Sequence, residues 1–99
     1  MISPPYRVIF QKRARKDFKS IPESDERKIR KAIDRLALDP RPTGSRAMHG
    51  PFEGLHRLRV GNYRVVYRIE DDRLVVFVIR LGSRQDIYQS LLRFLATLT

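Results

Sequence analysis

The stretch from His56 to Arg68, HRLRVGNYRVVYR, sets Arg57, Arg59, Arg64 and Arg68 among valines, a leucine and tyrosines that belong in a β-hairpin. Guanidinium groups at alternate strand positions project to one side of a sheet, and their permanent charge and planar fan of donors suit a phosphate or another polyanion. The turn pair Gly61-Asn62 decides which of them meet. A two-residue loop there pairs Val60 with Tyr63, Arg59 with Arg64, Leu58 with Val65 and Arg57 with Val66. Arg57, Arg59 and Arg64 then share one face, while Leu58, Val60, Tyr63 and Val65 share the other and pack on helices. Like charges directly opposite each other destabilise a sheet, by ~0.2–1 kcal/mol, and the hairpin holds no acidic residue between them. The pair points to an anion in the working state and predicts that removing one charge does not weaken the empty fold. The plainer reading of the same pattern is a solvated charged face.

The elements that must position these arginines follow from periodicity. Tyr6, Val8 and Phe10 alternate with Arg7 and Ile9 just after Pro4-Pro5 and predict a first strand. Ala14, Phe18 and Ile21 recur at four and three residues from Lys12 onward, a narrow apolar stripe on a basic helix that Pro22 ends. Ser24 or Asp25 is placed to cap a second helix carrying Ile29, Ala32, Ile33 and Leu36, and Asp39-Pro40 closes it. Pro40 to Gly54 reads as a long loop with no chemistry assigned to it. Leu55–Val60, Tyr63–Ile69 and Leu74–Leu81 form a three-stranded meander, with Asp71-Asp72 as its second tight turn. Carried through that turn, the register sets Ile79 beside Arg64 and Phe77 beside Val66, so the arginine face becomes apolar at one end. From about Asp86 to Leu98, Ile87, Leu91, Phe94, Leu95 and Leu98 lie on one helical stripe able to cover it. The expected fold class is α+β: a small antiparallel sheet, made of the N-terminal strand plus the meander, packed on an N-terminal helix hairpin, with a short C-terminal helix.

Composition bounds the rest. At 99 residues and 41% hydrophobic content, with no internal repeat, residues 1–99 make a single domain with one modest core. Lys and Arg number 21 against 11 Asp and Glu, a net charge of +10 that favours nucleic acid or an acidic protein as partner over an anionic membrane surface. Cysteine is absent, which removes disulfides, thiolate nucleophiles and Cys-based zinc sites and fits a reducing cytoplasm. The longest apolar runs, such as Leu74 to Ile79, are far too short to span a bilayer, and MISPPYRVIF lacks the basic flank and apolar core of a secretory signal. The sequence contains no P-loop, no dinucleotide-binding glycine pattern and no G-x-S-x-G, and two separated histidines make no metal set. No cofactor is expected, and no membrane partner.

The run GLHRLRVGNYRVVYRI, the apolar strand LVVFVIRLGSR and the tyrosine of QDIY together resemble the RelE/ParE superfamily of bacterial and archaeal toxins. The likeness extends over nearly the whole chain, from the opening strand through the helix hairpin and the Asp-Pro that ends it. It implies site residues one by one: the family's two basic positions on the strand before the turn fall on Arg57 and Arg59, its arginine before x-x-Tyr on Arg64, its strand-end arginine on Arg84 and its terminal tyrosine on Tyr88. The RelE-like pattern resembles lysine at the first two positions, where this chain has arginine. Lysine can share a proton and arginine cannot, so the proton donor of a RelE-like reaction is left open.

Metal-free RNA cleavage needs a base for the 2′-hydroxyl proton, positive charge around the phosphorane oxygens and a way to stabilise the departing 5′-oxygen. No carboxylate pair or histidine pair offers itself, and His49 and His56 read as ordinary surface or partly buried residues. Tyr88 remains as base if Arg84 and the sheet arginines draw its phenol toward ionisation; its alternative is a core aromatic next to Ile87. The resemblance therefore implies a ribosome-dependent endoribonuclease that cleaves mRNA by 2′-hydroxyl attack and is neutralised by an acidic antitoxin. The alternatives are a ParE-like, non-catalytic inhibitor of DNA gyrase and a plain nucleic-acid-binding module.

Overall fold

The computed structural model describes residues 4–97; Leu98, the last member of the C-terminal stripe, lies outside them. The elements in chain order are β1 (Arg7–Phe10), α1 (Lys12–Phe18), α2 (Glu23–Leu36), β2 (Ser45–Ala47), a 3-10 turn at Gly50–Phe52, β3 (His56–Val60), β4 (Tyr63–Glu70), β5 (Val75–Ser83) and α3 (Ile87–Thr97). This is an α+β fold with helices on both faces of one sheet. The helix hairpin buries Ala14, Phe18, Ile29, Ile33 and Leu36 against Leu58, Val65, Tyr67, Val76, Val78 and Leu81. On the opposite face α3 buries Ile87 and Leu91 against Val66, with Met48 in the same cluster. Strand alternation sends side chains to two different helical layers, as the hairpin register requires.

The β3–β4 register is the expected one, with Arg59 opposite Arg64 and Arg57 opposite Val66. Four details differ from the sequence expectation. The sheet is mixed rather than antiparallel: its order is β1-β5-β4-β3-β2, and β1 runs parallel to β5. Strand periodicity carries no direction, and the long route from β1 through two helices is the crossover that a parallel pairing needs. Ser24 and Asp25 do not cap α2. Its N-cap is Pro22, without a side-chain cap bond, and Glu23, Asp25 and Glu26 lie in the first turn, where their charge favours the positive end of the helix.

The supposed loop from Pro40 to Gly54 contains β2, which pairs antiparallel with β3 through Ser45–Leu58, Arg46–Arg57 and Ala47–His56. Three residues are too few to announce a period. The second turn is longer than Asp71-Asp72, since Glu70 pairs with Val75 and Leu74 takes a φ of 53°. A register shift between Val66 and Tyr67 follows, so Arg64 stands opposite Gly82 and Val66 opposite Arg80 instead of Ile79 and Phe77. Phe77 accordingly leaves the α3 layer and lies under the Arg68 guanidinium, 4.9 Å from ring centroid to Cζ. Ile79 still packs against the α3 cluster.

Three polar ties hold the layers in place. Asp17 of α1 accepts from Arg80 Nε (2.9 Å) and Nη2 (3.1 Å) and from the Leu81 backbone N–H (3.0 Å). Asp71 accepts from Arg41 through both carboxylate oxygens and from the Tyr6 hydroxyl at 2.6 Å. The buried Tyr67 hydroxyl donates to Pro40 O at 2.8 Å, which anchors the chain where it leaves α2 for β2.

Candidate functional site

Cross-strand pairing lays the cations out in rows on the α3 side of the sheet. One row runs Arg46, Arg57, Val66, Arg80 across β2 to β5, and the next runs Arg59, Arg64, Gly82. Two like-charged pairs therefore face each other, Arg46 with Arg57 and Arg59 with Arg64. α3 covers the row at Val66 by burying Ile87 and Leu91 there, and so places the next residue, Tyr88, at the rim of its layer. The Tyr88 ring is half-buried and leans on Phe52, with centroids 6.2 Å apart and planes at 42°. A cleft of about 300 Å³ results, lined by Arg46, Met48, His49, Phe52, Arg57 and Tyr88 along with Ala47. A smaller hollow of about 150 Å³, lined by Gly44, Ser45, Arg46, Arg57 and Arg59, shares Arg46 and Arg57 with it.

The structure thus brings Arg57, Arg59 and Tyr88 to two neighbouring hollows that share Arg46 and Arg57, and holds two other expected residues apart from them. Arg64 lies on the same face but is only 8% exposed, and its Nη1 donates to Gly61 O (3.0 Å) and Tyr63 O (2.9 Å), clamping the hairpin turn. Arg84 is exposed just beyond β5, with its backbone N–H bonded to Asn62 O at 2.8 Å, so it stands at the same turn end and lines neither hollow. Arg68 is drawn off to Glu70 (3.2 Å) and Phe77. His56 belongs to the other face, stacked on Tyr67 with centroids 5.6 Å apart, and burial pushes its pKa down.

Sequence reasoning missed Arg46, in the segment read as a loop without chemistry, and read His49 of the same segment as an ordinary residue although it lines the cleft. Arg46 connects the two hollows because β2 sets it opposite Arg57. The available signal was the Ser-Arg-Ala alternation between Gly44 and Gly50, legible only once its pairing with β3 is known. Among the described residues no group of three or more His, Cys, Asp or Glu is placed to hold a metal ion, and no helix is long and apolar enough to cross a membrane.

The chain is similar to known proteins over most of its length. Residues 8–88 match the family described as the ParE toxin of the type II toxin-antitoxin system, parDE. The chain is 31% identical over 86 residues to the toxin RelG of Mycobacterium tuberculosis, covering 86% of this chain and 98% of that protein. It is 29% identical over 80 residues to the mRNA interferase toxin RelE of Escherichia coli, covering 81% and 84%. Among solved structures, the toxin in the RelBE2 toxin–antitoxin complex of M. tuberculosis superposes with a TM-score of 0.74 at 27% identity, covering 81% of this chain and 99% of that one. The archaeal RelE–RelB complex of Pyrococcus horikoshii gives 0.71 at 29% identity, covering 81% and 96%. The chain belongs to the RelE/ParE family of type II toxin–antitoxin toxins. Within that family it is a RelE-like toxin, since its sequence and structural relatives are RelE toxins.

Proposed function

We propose that this protein is a ribosome-dependent, metal-independent endoribonuclease that cleaves mRNA. The observation that carries this reading is the single cleft on which Tyr88 and Arg57 converge, continued by Arg46 into the hollow that holds Arg59. An RNA backbone laid across both hollows meets three arginines that cannot lose their charge, and Tyr88 takes the 2′-hydroxyl proton as the 2′-oxygen attacks phosphorus. The arginines hold the charge that builds on the phosphorane oxygens, in a site already organised by the sheet. Arg64 and Arg84, at the hairpin turn and outside both hollows, contribute positive potential. The relative named an mRNA interferase supports the substrate class.

The +10 charge and the solved toxin–antitoxin complexes of relatives support an acidic antitoxin as cellular partner, acting in the cytoplasm where ribosomes are met. A second reading, inhibition of DNA gyrase, is favoured by the ParE description of the matching family. Primer extension on translated messages after induction, run beside a supercoiling assay with purified gyrase, separates the two. Breaks within translated codons with supercoiling untouched are expected; intact messages with blocked supercoiling would sink the ribonuclease reading.

A further inference from the structure

A ribonuclease that expels an alkoxide needs a group to protonate the 5′-oxygen, and arginine at positions 57 and 59 cannot serve. We propose that His49 is the general acid of this site. Of the residues lining the cleft with Tyr88, Arg46 and Arg57 keep their protons, and Ala47, Met48 and Phe52 have none to give. His49 remains, and histidine is the side chain whose charge ordinarily changes near neutral pH. Its position fits the task. The residue is exposed at the cleft wall, and its backbone is fixed as the N-cap of the 3-10 turn, with Phe52 N–H bonded to His49 O at 3.3 Å. The imidazole makes no cap bond of its own.

The step balances with no further reactant. Tyr88, ionised, accepts the 2′-hydroxyl proton; the 2′-oxygen–phosphorus bond forms and the phosphorus–5′-oxygen bond breaks; the imidazolium of His49 gives its proton to that oxygen. The products are a 2′,3′-cyclic phosphate and a 5′-hydroxyl, and both side chains re-equilibrate with water.

This role rests on the ribonuclease reading, and the test separates the two. Wild-type protein and His49→Gln are compared on ribosome-bound messages carrying at the scissile linkage either the ordinary 5′-oxygen or a bridging sulfur. A thiolate, from a thiol of pKa about 8.5, departs without protonation, so only the oxygen substrate needs the acid. The expected result is that His49→Gln is ~10²–10⁴-fold slower on the oxygen-linked message and within a few-fold of wild type on the sulfur-linked one. Equal losses on both substrates, which a binding or positioning role predicts, or no loss on either, would overturn the assignment. A wild-type protein inert on both overturns the ribonuclease reading itself, and His49's role with it.

Discussion

Arg64 faces Arg59 across the β3–β4 turn, and the repulsion between them, ~0.2–1 kcal/mol, competes with the two hydrogen bonds that Arg64 donates to Gly61 O and Tyr63 O. Hydrogen bonds from a charged donor are worth about 1.5–3 kcal/mol, so the bonds win and the sequence-based expectation of a strained, dispensable charge reverses sign. Arg64→Ala is expected to lower unfolding stability by about 1.5–3 kcal/mol in urea melts; unchanged stability would mean that the turn keeps its shape without the clamp. Tyr88→Phe tests the other side of the site. It keeps the ring against Phe52 and removes only the hydroxyl, so cleavage is expected to fall by ~10²-fold or more while melting temperature and co-sedimentation with ribosomes stay at wild-type values. Cleavage at the unmutated rate would remove Tyr88 from the mechanism. At this scale the sequence was informative where residues alternate in a long strand, as Arg57 and Arg59 do. It was silent on Arg46, whose place depends on a partner strand ten or so residues away.

Between elements, Asp71 ties the β4–β5 turn to the segment after α2 and to the approach to β1. The Arg41 guanidinium, and after it the Tyr6 hydroxyl, hold the Asp71 carboxyl at about 2, below its usual 3.8. A carboxylate depressed in the folded state adds stability that is fully present above its unfolded pKa and is lost as pH falls through the folded one. Asp71's contribution should therefore fade between roughly pH 4 and pH 2. Asp71→Asn is expected to melt below wild type at pH 6, with the gap closing over that window; a gap unchanged from pH 6 to pH 2 would exclude the carboxylate as its source. Both aspartates had a sufficient explanation as turn formers. What the sequence could not disclose was the turn's true length or the register shift at Val66/Tyr67, because side-chain alternation marks neither a longer loop nor a bulge.

Over the whole molecule, 21 basic against 11 acidic residues make association with an acidic partner a matter of long-range attraction. The affinity for an acidic antitoxin is expected to weaken steadily from low to physiological salt, as titration calorimetry would record, and a salt-independent affinity would point to an apolar interface instead. The helix hairpin, the meander and α3 were all legible because each carries a clear period; the direction of β1 was not, because a period has none. That parallel strand is also short. β1 accompanies β5 only from Val75 to Val78, and beyond it the Asp17 carboxylate takes the Leu81 N–H that a neighbouring strand would otherwise claim. An uncovered strand edge is a template on which another chain can add, and α1 occupies this stretch of the edge through Asp17. Asp17→Ala should then scatter light on mild warming, well below its own unfolding midpoint, where wild type stays clear; an equally clear variant would show that Asp17 holds the helix without shielding the edge.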